Sequence, residues 1–164
     1  MPAKHTLLWF SFVFLLLVSG CATTPEQSGP ATVAVWDLEN LSLDTTSGMD
    51  LGQILSAGVM ETIREKGSYQ VVERQQLLLV LEELNLGSSD LADENTRLRI
   101  GKIAGAQQMV FGAYQVIGDT MRIDLRLVDV STGKIVRAAQ KTTTGAGISV
   151  WLDAARDAAD ELFQ

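Results

Sequence analysis

The side chain in this sequence with the most distinctive chemistry is its only thiol. Cys21 stands directly behind a short apolar segment and the small pair Ser19-Gly20, a position that suits covalent modification of the sulfur. The other candidates are weaker. Glu82-Glu83 and Asp93-Glu94 are adjacent acids, but neighbours on a helix do not converge on one substrate, and the second pair suits a helix N-terminus. Gly145-Ala146-Gly147 precedes a helical pattern, as a phosphate loop would. It lacks the third glycine, the Lys-Ser/Thr pair and the supporting crossover, so it reads as a flexible strand-to-helix joint.

The segment before Cys21 explains its placement. Lys4 supplies a positive start, and Leu7 to Val18 form a twelve-residue apolar run. Such a run suits a secretory core of about 7–15 residues and falls short of the roughly 20 needed to span a bilayer. Val18-Ser19-Gly20-Cys21 resembles the bacterial lipoprotein cleavage box; the alternative is an ordinary signal peptide with a stray cysteine. The resemblance implies removal of residues 1–20, acylation of Cys21 on sulfur and amine, and a membrane anchor through that residue. One acyl chain binds marginally, whereas several hold durably at about 0.8 kcal/mol per buried CH₂. Ala22 follows the cysteine where, in enteric sorting, Asp would retain a lipoprotein at the inner membrane. That implies the periplasmic face of the outer membrane.

Cleavage would remove Lys4 and His5, leaving 144 residues with 12 basic and 20 acidic side chains, a formal net charge of −8. So acidic a body repels nucleic acid and anionic headgroups, making both poor partners for its surface as a whole, although local patches can differ. With no histidine left and the thiol committed to lipid, His general bases, thiol nucleophiles, disulfides and Cys/His zinc sites are excluded. Lone surface carboxylates are ordinarily just solvated. The expectation is a protein that is not an enzyme and holds no cofactor or metal.

Residues 21–31 then form a lipidated tether, and 32–164 one domain of about 130 residues. Ala22 to Ala31 contain two prolines, a glycine and several small polar residues; fully extended they reach about 35 Å. Thr32 to Leu38 reads as a buried strand. Apolar residues recur at helical spacing from Asp50 to Lys66, with Gly67 as a stop, and Tyr69 to Val72 is a second strand, implying a parallel crossover. Arg74 to Leu86 is a helix with Leu77, Val80, Leu81 and Leu84 on one face. Leu78 and Leu79 widen that stripe beyond one contact. Deep burial between the sheet and another helix is expected for them, an exposed partner surface being the alternative.

Gly87 to Asp90 turns the chain, and Asp93 caps a third helix reaching about Ala104. Gln108 to Ile117 and Thr120 to Val130 flank Gly118-Asp119, a two-residue hairpin signal. Ser131-Thr132-Gly133 starts a third strand, Lys134 to about Thr143. A closing helix follows, with Trp151, Leu152, Ala155, Ala158 and Leu162 inward. The fold class is therefore mixed α/β in the order β-α-β-α-α-β-β-β-α, with helices packed on the sheet and a C-terminal antiparallel meander. A membrane-inserted hairpin is disfavoured, because its apolar face is needed by the helices and its other face carries Arg122, Asp124 and Arg126.

Val71-Val72-Glu73-Arg74-Gln75-Gln76-Leu77, Ala104 to Gly112 (AGAQQMVFG) and Leu125 to Ile135 (LRLVDVSTGKI) together resemble the family of the curli secretion lipoprotein CsgG and the holdfast lipoprotein HfaB. The "ERQ" and "VSTG" pieces are the most specific, and the match in order spans about Val33 to Val136. A weaker similarity, in QQL, IAGAQ and TGKI, is to the penicillin-binding-protein activator LpoB. The resemblance implies a periplasmic α/β domain, outer-membrane attachment through Cys21 and a part in export or assembly at the cell surface. Pore-forming members insert long segments where this chain has only Gly118-Asp119, so pore formation does not follow. A peptidoglycan-synthesis regulator and a small carboxylate-dependent hydrolase are the other readings. An envelope protein or a second copy is the expected partner, with Leu78, Leu79 and Trp151 as candidate contacts.

Overall fold

The computed structural model describes residues 29–43, 50–84 and 93–164. The expected leader, Cys21, most of the tether and the turn at Gly87 to Asp90 lie outside the described residues. In chain order the elements are β1 (Ala31–Val35), β2 (Glu39–Asn40), α1 (Leu51–Lys66), β3 (Tyr69–Val71), α2 (Arg74–Glu83), α3 (Glu94–Ile103), β4 (Gln108–Ile117), β5 (Thr120–Asp129), β6 (Ile135–Thr144) and α4 (Ile148–Leu162). The six strands form one mixed sheet in the order β3-β1-β4-β5-β6, with β2 laid parallel against β4. This is the expected mixed α/β fold with one short strand added.

Local chemistry sets the boundaries. Asp50 accepts the Gln53 N–H at 3.1 Å to open α1, and Gly67 closes it at φ 66°, a left-handed conformation that glycine adopts freely. Asp93 accepts the Asn95 N–H at 2.9 Å to open α3. At the hairpin, Gly118 has φ 62°. Val116 there pairs with Met121, Tyr114 with Ile123, Gly112 with Leu125 and Val110 with Leu127, the register that a two-residue turn dictates.

Strand alternation then divides the core between two faces. Val33, Val35, Val110, Ile123, Leu125 and Leu127 point to one side, where Leu55, Val59 and Ile63 of α1 and Ala155, Ala158 and Leu162 of α4 cover them. Ala34, Met109, Phe111 and Val128 point to the other, under Leu77, Val80 and Leu81 of α2 and Ile100 of α3. Gly58 lets α1 and α4 approach closely, since a Cβ there would lie 3.3 Å from Leu152 Cδ2. Gly52 is tighter still: a Cβ would overlap the backbone carbonyl oxygen of Leu38.

Two expectations need correction. The first strand ends at Val35 rather than Leu38. Past that point the chain bends out, the Leu38 N–H donating to the Gly52 carbonyl, and returns as β2 with the Leu41 N–H on the Tyr114 carbonyl at 2.9 Å. Leu38 remains buried. The second correction concerns Leu78 and Leu79, which are 43% and 53% exposed rather than deep. Helix α2 presents Leu77, Val80 and Leu81 to the sheet and has α3 beside it. No further layer of the described residues covers its outer side.

Candidate functional site

The clearest side-chain cluster sits where β1 ends. Arg74, the first residue of α2, donates from Nε to Asp37 Oδ1 at 3.1 Å and from Nη2 to Asp37 Oδ2 at 2.7 Å, and Ser56 of α1 donates to Oδ1 at 3.1 Å. The hydrogen bond to Asp37 raises the Arg74 pKa further above its ordinary value. Glu73 takes Arg64 of α1 at 2.8 Å, and Gln76 Nε2 donates to the Ala104 carbonyl at 3.2 Å. Glu73 and Arg74 of the "ERQ" stretch, with Gln76 just after it, thus form a clamp that ties α2 to α1, to the chain leaving β1 and to the end of α3. Its chemistry is consumed by structure.

The "VSTG" turn behaves similarly. Asp129 Oδ1 accepts from Ser131 Oγ at 2.6 Å, Thr132 N at 2.8 Å and Thr132 Oγ1 at 2.7 Å, and Gly133 follows at φ 67°. The Ser131 and Thr132 hydroxyls hold the Asp129 carboxyl below its ordinary range. Because the folded pKa is depressed, the turn's contribution is present above the unfolded value of about 3.9 and is lost as pH falls through the folded one. Urea unfolding of the Asp129→Asn variant should accordingly show a shallower loss of stability between neutral and acid pH than the parent chain. Equal acid slopes would count against this role.

The open surface lies on the outer sheet face beyond the reach of α2 and α3. A groove of about 630 Å³ has Phe111, Ala113, Asp124, Arg126, Ala138 and Gln140 as its floor and Glu39 and Arg97 as one wall. Its charges are arranged in pairs: Arg122 forks onto Asp124 at 2.8 Å, Arg126 reaches Glu94 at 3.0 Å, and Arg97 pairs with Glu39. The Arg97 guanidinium also lies 5.9 Å from the Trp36 ring centroid, a cation–π distance. Its floor thus mixes apolar Phe111, Ala113 and Ala138 with polar Asp124, Arg126 and Gln140, and its charged groups already hold one another.

Among the sequence candidates, Leu78 and Leu79 are on the surface, whereas Trp151 is half-buried with its indole N–H donated to the Gly145 carbonyl at 3.0 Å. Gly145-Ala146-Gly147 is the joint between β6 and α4. Asp93 is a helix cap, Glu94 is paired with Arg126, and Glu82 and Glu83 are exposed. The acidic pairs do not converge. No group of three metal-ligating acids, histidines or cysteines occurs among the described residues, and no helix of theirs is long and apolar enough to cross a membrane. Asp37, Glu39 and Arg97 were not singled out from the sequence. The alternating β4 and β5 pattern marks the groove floor as a polar face, but nothing local says where the helices stop covering it.

The family model described as "Curli production assembly/transport component CsgG" matches residues 18–117. This chain belongs to the CsgG family. No curated protein is detectably similar in sequence. The C-terminal domain of LpoB from Salmonella enterica is similar in structure at 16% identity and TM-score 0.60, over 80% of this chain and 91% of that one. The PelC dodecamer from Paraburkholderia phytofirmans has 19% identity and TM-score 0.53, over 82% of this chain and 88% of that one. Lipoprotein GNA1162 from Neisseria meningitidis has 17% identity and TM-score 0.55, over 71% and 83%. These likenesses establish a shared fold. In this CsgG-family member, the "ERQ" clamp falls within the matched stretch and the "VSTG" turn beyond it.

Proposed function

We propose that this chain is a lipoprotein anchored through Cys21 to the periplasmic face of the outer membrane. In this reading it acts without catalysis, as an accessory or assembly component in cell-envelope export or surface-structure biogenesis. The observation that carries the reading is the extent of the family match, which begins at Val18 inside the cleavage box and runs to Ile117 at the end of β4. The protein does not itself form a pore. The β4–β5 connection is Gly118-Asp119, and residues 41–50 and 84–93 supply ten positions each. A hairpin of two spanning strands needs about 18–22.

A regulator of peptidoglycan synthesis is the second reading, supported by the coverage of 91% of the LpoB domain. The tether weighs against it, because about 35 Å of extended chain keeps the domain near its membrane. The hydrolase reading is weakened because Asp37, Glu39, Asp124 and Glu161, the acids lining the groove, are each held by an arginine or lysine.

Cross-linking in intact envelopes followed by affinity capture tests the assignment. A secretion or surface-structure protein in the capture supports the first reading, and a peptidoglycan synthase the second. Leu78→Asp should abolish that capture while leaving the thermal unfolding transition in place, since exposed apolar area marks interfaces. Reproducible channels from the purified protein in planar bilayers would instead restore the pore.

A further inference from the structure

We infer that the end of the domain where the tether emerges is a second membrane contact, a basic and apolar patch that rests on anionic phospholipid. This builds on anchoring at Cys21. The chain enters the fold at Ala31, the first residue of β1, and the exposed Gly29 and Pro30 precede it. Ala31 and Lys102 line one hollow of about 420 Å³ together with Ser131. Arg99 and Lys102 line its neighbour together with Gly133, next to Lys134 in the chain. The last turn of α3, the β5–β6 turn and the start of β1 therefore share this end.

The charge pattern there differs from the rest of the molecule. Elsewhere, Arg64, Lys66, Arg74, Arg97, Arg122, Arg126, Lys141 and Arg156 each hold a carboxylate, and Arg137 donates to the carbonyls of Leu162 and Gln164. Arg99, Lys102 and Lys134 are the cations left with no such partner among the described residues, and all are exposed. In a chain of net charge −8 after cleavage, the cations left unpaired among the described residues gather at one end. Asp129 lines the first hollow with Lys102, and the hydrogen bonds from Ser131 and Thr132 keep its carboxylate ionised, so three cations face one acid at this end.

Apolar side chains flank the same cations. Ile103 beside Lys102 is 49% exposed, and Ile135 and Val136 beside Lys134 are 57% and 49% exposed. Lysine heads at the headgroup level with short apolar groups below them is the pattern of a peripheral membrane surface. The acidic body does not cancel it, because charges more than about 8–10 Å from the surface are screened at physiological ionic strength. Each cation is worth about a fivefold gain in binding to an anionic leaflet. A weak patch suffices, since a short tether holds it at an effective concentration near the millimolar range. Docking through this end turns the β4–β5 hairpin tip, at the far end of both strands, toward the periplasm.

The test uses the protein purified from membranes with its native N-terminus and reconstituted into vesicles of phosphatidylcholine alone or with phosphatidylglycerol. Amine-reactive labelling should modify Lys102 and Lys134 at least fivefold more slowly in the anionic vesicles. High salt should remove that protection, and Lys141, held by Glu161, should label equally in both. The double variant Lys102→Glu/Lys134→Glu should expose Ile103 and Ile135 to backbone hydrogen exchange in anionic vesicles as fully as in neutral ones. Equal labelling of Lys102 and Lys134 in the two vesicle types would overturn the proposal, as would equal protection by inorganic phosphate in neutral vesicles. Failure of the protein to float with either vesicle would instead sink the anchoring at Cys21 on which this rests.

Discussion

Replacing Cys21 with serine, with the leader kept intact, is expected to move the whole population off the membrane or to stop its processing. The thiol is the only one in the chain, so no second residue can take the same thioether-linked lipid. Several acyl chains at about 0.8 kcal/mol per buried CH₂ dominate any contribution from a surface patch. The three unpaired cations of the tether-proximal end supply an affinity that is useful only when a tether keeps them close. Fractionation of envelopes at high salt reads the result. The variant should appear in the soluble periplasmic fraction or persist as an uncleaved precursor; cleaved protein that stays membrane-bound at high salt would reveal another anchor.

A comparably sharp effect is expected inside the fold from two glycines of one helix. Gly52→Ala places a methyl group against the Leu38 backbone carbonyl, which is held where the chain leaves β1 and turns back as β2. A backbone atom yields only if the loop shifts, so the substitution should cost about 1–3 kcal/mol or more. For a domain of this size that is a fall in melting temperature of roughly 5–15 °C. Gly58→Ala meets only the far end of Leu152, at 3.3 Å, and gains up to about 1 kcal/mol of helix propensity. It should be neutral or stabilising. Identical substitutions six positions apart in α1 should therefore move the transition in different directions. Thermal unfolding of the two variants decides this, and equal behaviour would mean that the β1–α1 loop yields freely.

Residues Leu78 and Leu79 show the limit of reading a stripe. Periodicity identified α2 and put Leu77, Val80 and Leu81 on its inner face, where they are buried. The surplus pair implied either a third layer or an exposed surface, and only the stacking of elements could choose between them. The same holds for the groove. Alternation in β4 and β5 correctly separated an apolar from a polar face, yet the extent of α3 over that polar face follows from where it docks. The Asp37–Arg74 pair joins residues 37 positions apart, and Arg97 reaches Glu39 across 58; no local pattern announces either.

What the sequence determined by itself is what near neighbours enforce. Asp50 and Asp93 start helices, Gly67 ends one, and Gly118-Asp119 sets a register that carries through ten paired positions. Each of those outcomes depends on backbone groups within a few residues of one another, so composition and spacing suffice. The tertiary structure alone decided which cations find acids and which do not. Among the described residues eight do, Arg137 holds only backbone carbonyls, and Arg99, Lys102 and Lys134 gather at the tether-proximal end with no acid partner. The physical reason is that Coulomb attraction acts through space rather than along the chain. Its partners are assigned only after hydrophobic layers have fixed how the helices and strands stack.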